Sequence, residues 1–453
     1  MSIAPIREHV EPDRLNARDL LKVAPCTMHV AEDGTVSVGG VDLLDVAAEF
    51  GTALYVYDEE HLRRQLRSFV QEFARVYPQS SIVYAAKAFC SVAVDKIVAE
   101  EGCHIDVASG GELAFAQAAG VDPQTIFAQG NNKTPAEIEE CVAAGVARFV
   151  VDTHEELERI DAAAAAAGVT QKVIVRVCPG IEADTHAYIQ TANEDSKFGF
   201  NIRNGAAAEA TRLALSLPHV ELTGFHCHIG SQIFELESYR EAVRVMFEFL
   251  GDVRNELSFT ARELDMGGGL GIAYTVYDQP ATIGQYATAL GRAIRKYAER
   301  HDYPLPHLYV EPGRSIVANA GLTLYTVGSV KEVSGICTYV AVDGGMTDNI
   351  RTALYGSKYE AFVVEHALEG REKICDVVGK HCESGDVIVK NSPLQDTAAG
   401  EHICVLGTGA YCNEMASNYN KQVRPGVVLV KDGRVREIVR RETYEDLLAR
   451  ELG

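Results

Sequence analysis

The stretch Ile82-Val83-Tyr84-Ala85-Ala86-Lys87 contains the first of eight short apolar runs in this 453-residue chain. Helix-forming segments separate the runs, and Thr134-Pro135-Ala136-Glu137 marks one helix start with a capping hydroxyl and a proline at the first helical position. Eight strands, each followed by a helix, over roughly 260 residues predict a (β/α)₈ barrel of TIM type. The runs are 82–86, 104–108, 126–129, 148–151, 172–177, 222–228, 263–266 and 308–311.

The position of the unusual residues favours a barrel over a doubly wound sheet, the alternative that the strand pattern leaves open. They lie at or just after the carboxyl ends of the runs, and that end of such a barrel carries the active site. The polar stretch 180–203 is expected to fold over the barrel mouth. The residues concerned are Lys87, Asp106, Asp152, His228, Gly267–Gly269 and Glu311.

A second, mostly β domain is predicted after Ser315, where β-branched and alternating runs replace the helical patterns. Asp432-Gly433 is the signature of a tight hairpin within it. The segment 28–41, with its turn at Asp33-Gly34, also reads as a hairpin and is expected to join this domain. The predicted boundaries are therefore 51–314 for the barrel and 1–50 with 315–453 for the β domain.

Composition narrows the classes of function. The formal net charge of −22 argues against a nucleic acid or an anionic membrane surface as a partner. No apolar run has the length of a membrane span, and the 11 cysteines form no Cys-x-x-Cys pair, which favours a reduced cytoplasm. His226 and His228 share a strand face and could bind a metal, but no third ligand stands out, so no metal is predicted.

Lys87 has two interpretations. Its stem could pack while the ammonium reaches water. Alternatively, desolvation could lower its pKa and provide the neutral amine that condenses with an aldehyde cofactor.

The run Gly267-Gly268-Gly269-Leu270-Gly271 follows the seventh strand. Consecutive glycines let backbone N–H groups approach a phosphate without Cβ clashes, although such a run is more often a turn. Phosphates in these barrels often bind near strands seven and eight.

Two further motifs end strands six and eight. In Glu311-Pro312-Gly313-Arg314, the carboxylate could keep a pyridine nitrogen protonated and the guanidinium could pair with a phosphate or carboxylate. In His228-Ile229-Gly230-Ser231, the imidazole could lie against a cofactor ring and the hydroxyl could donate to its phosphate. Taken singly, these could be a surface ion pair and a core histidine.

Together, Tyr84–Lys87, His228–Ser231 and Glu311–Arg314 resemble the motifs of the fold-type III pyridoxal-phosphate-dependent decarboxylases, the alanine racemase and ornithine decarboxylase superfamily. The resemblance extends from about Ala53 to the C-terminal region. It implies pyridoxal 5′-phosphate as the cofactor and a carboxy-lyase activity. The cofactor-binding residues that it predicts are Lys87, Asp106, His228, Ser231, Gly268, Gly269, Glu311, Gly313, Arg314 and Tyr411.

Within that group, Cys382–Asp386, Asp195–Gly199 and Gly409–Tyr411 resemble stretches of the diaminopimelate decarboxylase family. The resemblance implies that Cys382 is the proton donor and acts with Lys87 as a catalytic residue. The predicted substrate-binding residues are Arg314, Arg351, Tyr355, Glu383 and Tyr411. The family usually has proline after the arginine that corresponds to Arg351, whereas this chain has Thr352.

The implied reaction converts meso-2,6-diaminopimelate to L-lysine and CO₂, the last step of lysine biosynthesis. The resemblance also implies a cytoplasmic homodimer with shared active sites, in which Cys382 and Glu383 reach into the partner's barrel.

The charges of the predicted site suit such a substrate, whose far end carries its own carboxylate and ammonium. Arg314, Arg351 and Glu383 supply two cations and one anion, and a diamine precursor would leave the arginines unpaired in a desolvated site. Two alternatives remain. One is a sister decarboxylase that acts on ornithine, lysine, arginine or carboxynorspermidine. The other is a non-catalytic regulatory binding protein, against which the presence of Lys87 and Cys382 argues.

Overall fold

The computed structural model describes residues 11–181 and 197–453, and the chain divides into two compact units. One unit comprises residues 63–272 and 279–316, and the other comprises 1–62, 273–278 and 317–453. The strands are β1 His29–Val30, β2 Val36–Val38, β3 Val41–Asp42, β4 Leu54–Asp58, β5 Ser80–Ala85, β6 His104–Val107, β7 Ile126–Ala128, β8 Arg148–Val151, β9 Gln171–Cys178, β10 Phe200–Asn201, β11 Val220–His226, β12 Glu263–Asp265, β13 His307–Val310, β14 Gly321–Val333, β15 Cys337–Val342, β16 Ala361–Val363, β17 Lys373–Val378, β18 Val387–Leu394, β19 His402–Leu406, β20 Gly426–Lys431 and β21 Arg434–Val439. The helices are α1 Leu43–Phe50, α2 Glu59–Val76, α3 Val92–Glu100, α4 Gly110–Ala118, α5 Pro135–Ala144, α6 His154–Ala167, α7 Ala206–Ser216, α8 Glu237–Leu257, α9 Ile283–Arg300, α10 Arg314–Val317, α11 Arg351–Tyr355 and α12 Tyr444–Leu448.

The first unit is the predicted barrel. Its eight strands pair in parallel in the order β9, β11, β12, β13, β5, β6, β7 and β8, and β8 pairs with β9 to close the ring. All eight predicted strands are present, and the predicted fold class is confirmed. The short strand β10 adds to β9 outside the ring.

Helix starts in this unit follow the local sequence signals. Thr134 caps α5 in the predicted manner, because its hydroxyl accepts from the Glu137 N–H at 3.3 Å while its own N–H donates to Glu137 Oε2 at 2.9 Å. Pro135 occupies the first helical position, where no intrahelical donor is needed.

The amino-terminal end of the barrel is filled by packed polar and aromatic side chains. Arg148 opens β8 and pairs with Glu263 of β12 at 2.7 Å, and its guanidinium lies 4.5 Å from the Phe127 ring centroid. Phe127 and Tyr309 pack edge to face at 5.0 Å. This packing leaves the carboxyl ends of the strands as the end where polar groups are available for chemistry.

The second unit is a mostly β structure, as predicted. Its largest sheet has the order β18, β17, β15, β14, β4, β20 and β21, and β19 pairs with both β14 and β16. Apolar side chains of β4, β14 and β20 share one hydrophobic cluster with those of the N-terminal hairpin β1–β2 and of α1. The hairpin at Asp432-Gly433 joins β20 to β21, with both residues at positive φ as a tight type I′ turn requires.

The structure differs from the sequence expectations at β4 and at two strands of the second unit. Strand β4 falls inside the 51–314 range expected for the barrel, but it pairs with β14 and β20 of the second unit. Strands β16 and β17 were not anticipated. The stretch 180–203 expected over the barrel mouth falls largely outside the described residues, as do Asp195 and Ser196. Among the described residues, no helix is long and apolar enough to cross a membrane.

Candidate active site

Lys87 lies in a 3₁₀ turn, Ala86–Ala88, that begins directly where β5 ends. The neighbouring Ala86 and Ala88 are buried, whereas Lys87 is exposed. The Tyr84 hydroxyl donates to the Phe89 carbonyl oxygen at 2.7 Å and closes the turn. The position at a strand end agrees with the sequence prediction, but the residue is exposed and not buried like its apolar neighbours.

Glu311 follows β13 and is buried in a hydrogen-bonded cluster. His226 Nε2 lies 3.0 Å from its Oε2, and the Gln129 side-chain amide donates to its Oε1. Burial opposes ionisation of this carboxyl, but the His226 imidazole and its hydrogen bond outweigh that effect and lower the pKa of Glu311 to about 2. Glu311 is therefore a carboxylate near neutral pH.

Two other buried carboxyl groups face this charge. Burial and the nearby Glu311 carboxylate raise the pKa of Asp265 and of Asp106 well above the usual range. Asp265 Oδ1 accepts from the Gly267 N–H at 2.8 Å, while Asp106 Oδ1 and Asp265 Oδ2 have no hydrogen-bond partner among the described residues. The cluster thus concentrates a single negative charge on Glu311, because like charges so close are not all ionised.

His228 is held as a neutral imidazole. Its Nδ1 accepts from the Gly268 N–H at 3.2 Å, which leaves the ring proton on Nε2. Burial, followed by the positive charges of Lys87 and Arg176, places the pKa of His228 well below its usual range. A neutral ring can lie flat against an aromatic group without the cost of burying a charge.

Glycine is required in this run because neighbouring backbone atoms leave no room for a Cβ. A Cβ on Gly268 would lie 2.1 Å from the Glu311 carbonyl oxygen, and one on Gly269 would lie 2.4 Å from that of Gly230. Gly269 also has φ +109°, which disfavours any side chain. The run therefore packs between the Glu311 segment and the loop that carries Ser231.

Ser231 and Arg314 meet beside this run. Arg314 Nη2 and Nε lie 3.1 Å and 3.3 Å from the Ser231 hydroxyl oxygen. A guanidinium next to a hydroxyl is a donor set suited to a phosphate. Gly313 is tightly confined as well, since a Cβ there would lie 2.9 Å from that of Ala85.

The donor set of the barrel fits pyridoxal phosphate group by group. The exposed amine of Lys87 suits its aldehyde, and the neutral ring of His228 suits its pyridine face. The ionised Glu311 suits a protonated pyridine nitrogen, and the Ser231–Arg314 pair with the glycine run suits the phosphate. Asp106, also predicted for the cofactor, lies one residue before the end of the neighbouring strand β6. It interacts electrostatically with Lys87 and Glu311.

The second unit brings together three of the predicted substrate residues. Arg351 opens α11 and is buried, with its guanidinium 5.0 Å from the Tyr355 ring centroid and 5.2 Å from that of Tyr411. Arg351 Nε has no hydrogen-bond partner among the described residues. The Arg351 guanidinium therefore lies between two aromatic rings, and its Nε–H group lacks a hydrogen-bond acceptor among the described residues.

The backbone positions Tyr411 in this cluster. Gly409 approaches the chain so closely that a Cβ there would lie 1.9 Å from the Val317 carbonyl oxygen. Its own carbonyl oxygen accepts from the Tyr57 hydroxyl at 2.8 Å. Tyr411 itself takes a positive φ of 64°.

Cys382 and Glu383 lie in the loop between β17 and β18. Both side chains are exposed, as are Ser384 and Gly385, and the next residue, Asp386, is buried. The two side chains predicted to act on the substrate are thus presented at a surface of this unit.

Sequence reasoning missed the residues that support Glu311. Gln129 ends the third strand run, His226 precedes His228 by two positions, and Asp265 precedes the glycine run. A signal was available, because each lies at the carboxyl end of a barrel strand.

Residues 59–318 match the protein family described as pyridoxal-dependent decarboxylase, pyridoxal binding domain. The chain belongs to the pyridoxal-dependent decarboxylase family. The sequence prediction of this family is therefore confirmed.

Full-length relatives of this decarboxylase are named diaminopimelate decarboxylases. The Bacillus subtilis protein is 43% identical over 421 residues, covering 93% of this chain and 96% of its own length. The Mycobacterium tuberculosis protein is 43% identical over 430 residues, with the same coverage. A crystal structure of the M. jannaschii diaminopimelate decarboxylase in complex with L-lysine superposes with a TM-score of 0.87 at 33% identity, covering 94% of this chain and 98% of the other.

Proposed function

We propose that this decarboxylase converts meso-2,6-diaminopimelate to L-lysine and CO₂. The observation that carries the proposal is the buried Arg351 with its unsatisfied Nε, set between Tyr355 and Tyr411. A substrate that brings a second carboxylate would satisfy this cation, whereas a diamine precursor would leave it unpaired. The similarity to named diaminopimelate decarboxylases over more than nine-tenths of the chain supports the same substrate.

Pyridoxal 5′-phosphate is the proposed cofactor. Lys87 would hold its aldehyde carbon, His228 its ring face, Glu311 its pyridine nitrogen, and Ser231, Arg314 and Gly268–Gly269 its phosphate. When bound, the cofactor supplies a sink for the electron pair that is left when a carboxyl group departs.

Other residues of the chain would bind the substrate, hold charge and donate a proton. Glu311 would stay ionised, because His226 binds one of its carboxylate oxygens and Gln129 binds the other. Its negative charge would keep a proton on the pyridine nitrogen of the cofactor. Arg351 and Tyr355 would bind the distal carboxylate of the substrate, and Glu383 its distal ammonium. Cys382 would donate its thiol proton to the α-carbon after the bond to CO₂ breaks, which yields L-lysine.

The first test is a direct assay. Purified protein is supplied with pyridoxal phosphate and meso-diaminopimelate, and lysine and CO₂ are measured, with ornithine, lysine and arginine as competing substrates. We expect lysine from diaminopimelate and little product from the other amino acids. Turnover of ornithine or arginine without lysine formation would favour a sister decarboxylase.

We also propose a homodimer whose active sites take residues from both chains. The exposure of Cys382 and Glu383 supports this, since side chains with predicted roles in chemistry lie at a surface of the second unit. All eleven cysteines lie among the described residues and are free thiols, which supports the proposed location in a reducing cytoplasm.

Mixing two inactive variants tests the shared site. Lys87→Ala and Cys382→Ala chains, unfolded and refolded together, should regain about a quarter of wild-type activity, because half of the dimers are mixed and each mixed dimer has one intact site. Each variant refolded alone is the control. If the mixture stays inactive while mixed dimers are detected by mass, the site is not shared in this way.

A further inference from the structure

Strand β4 presents two tyrosines, Tyr55 and Tyr57, on one face of its sheet, because residues two apart in a strand point to the same side. Leu54 and Val56, which alternate with them, contribute to the hydrophobic cluster on the other face. Both tyrosines are completely buried. Burial raises the pKa of each phenol well above its usual range, so both hydroxyls stay protonated and can donate hydrogen bonds.

Tyr55 holds the segment that leads into Arg351. Its hydroxyl donates to the Asp348 carbonyl oxygen at 2.5 Å, three residues before Arg351. The Asp348 side chain closes the same turn, since its Oδ1 accepts from the Gly345 N–H at 2.8 Å and its Oδ2 accepts from the Tyr325 hydroxyl at 2.5 Å. The turn before α11 is thus fastened to β4 and, through Tyr325, to the neighbouring strand β14.

Tyr57 holds the segment that leads into Tyr411. Its hydroxyl donates to the Gly409 carbonyl oxygen at 2.8 Å, two residues before Tyr411. The positive φ of 64° at Tyr411 is a backbone conformation that persists in a non-glycine residue only where the surrounding structure holds it. The direction of the Tyr411 side chain therefore depends on restraints such as the one from Tyr57.

The two anchoring points lie at a fixed separation. Strand β4 pairs with β14 on one side and with β20 on the other, so it cannot slip in register without turning its apolar side chains to the wrong face. Residues two apart in a strand are separated by about 6.6 Å. One strand thus holds both segments of a cluster in which the Arg351 guanidinium lies 5.2 Å from the Tyr411 ring centroid.

We propose that Tyr55 and Tyr57 are positioning residues that together set the spacing between Arg351 and Tyr411. The inference rests on the proposed function, in which Arg351 binds the distal carboxylate of diaminopimelate. Arg351 and Tyr411 belong to the same unit of one chain, so this spacing does not depend on residues that a second chain supplies. A change in the spacing weakens substrate binding and leaves the reacting atoms untouched.

Tyr55→Phe and Tyr57→Phe test the two hydroxyls, because phenylalanine keeps the ring and removes only the donor. Each variant should raise KM for diaminopimelate roughly fivefold with kcat within about twofold. The double variant should raise KM about as much as either single variant, because the loss of one anchor already releases the spacing. Two independent defects would instead multiply, and that result in steady-state kinetics would overturn the shared role.

Tyr77→Phe is the matched control. Tyr77 is a buried tyrosine of the barrel unit whose hydroxyl also donates to a backbone carbonyl oxygen, that of Pro306 at 2.6 Å. Its loss should lower the melting temperature by a comparable amount and leave KM unchanged. An equal rise of KM in this variant would overturn the positioning role. Should Tyr55→Phe not fold, Tyr325→Phe loosens the same turn through the Asp348 side chain and should give the same rise in KM.

Amide hydrogen exchange of the proteins without cofactor provides a readout that needs no turnover. Tyr55→Phe should accelerate exchange several-fold in the peptides that cover 343–355, and Tyr57→Phe should do so in those that cover 407–413. Tyr77→Phe should change neither region.

The two measurements separate the failure of this inference from the failure of the proposed function. Unchanged exchange, or unchanged KM, in both single variants would overturn the positioning role. Accelerated exchange in a protein whose wild type does not decarboxylate diaminopimelate would support the anchoring of both segments by β4. It would overturn the proposed substrate and, with it, the role of the two tyrosines in binding that substrate.

Discussion

Lys87→Ala is expected to lower kcat on the order of 10⁴-fold or more, because it removes the amine that holds the cofactor for reaction. The exposed position of Lys87 predicts that this loss is chemical and not structural. Truncating an exposed side chain should leave the melting temperature nearly unchanged. Borohydride reduction of the wild type with pyridoxal phosphate should attach the cofactor covalently to the peptide that contains Lys87, and the variant should show no such attachment.

Lys96→Ala is the matched control, since Lys96 is an exposed lysine on the next helix, α3. It should retain wild-type activity and labelling. Labelling of another lysine in the wild type, with full activity in Lys87→Ala, would show that the amine had been assigned to the wrong residue.

Glu311→Gln is expected to lower kcat by roughly 10² to 10³-fold with a smaller change in KM. The amide has nearly the shape of the carboxylate but no charge, so it cannot keep a proton on a pyridine nitrogen. Cofactor affinity should fall less than kcat, because the contacts of His228, Ser231 and Arg314 remain. Steady-state kinetics and a pyridoxal phosphate titration followed by visible absorbance measure the two quantities separately.

Glu256→Gln on the exposed face of α8 controls for a general effect of the substitution. A Glu311→Gln protein with wild-type kcat would contradict the role of the carboxylate in the reaction. A protein that lost cofactor affinity in proportion to kcat would instead assign Glu311 to binding alone.

The barrel and the main site residues could be predicted because their signals are local. The carboxyl end of each strand is visible in sequence as the point where an apolar run meets a polar residue, as at Lys87 and Glu311. Parallel strands bring such points together at one end of a barrel, so order along the chain was enough to group them.

Three features could not be predicted in this way, since they depend on contacts between distant segments. The ionised state of Glu311 follows from His226 and Gln129, which are 85 and 182 residues away. Lys87 is exposed in the 3₁₀ turn that follows the end of β5, whereas its apolar neighbours in sequence had suggested that it would be buried. Strand β16 has three residues, too few to show an alternating pattern.

Strand β4 can pair only late in the synthesis of the chain. All five of its residues are buried, and it lies between β14 and β20, whose pairing residues begin at Gly321 and Gly426. The ribosome completes every barrel strand before either neighbour of β4 exists. Strand β4 must therefore wait unpaired until β14 is made, and its second edge must wait for β20. Premature termination before β20 would leave that edge of β4 open to another chain.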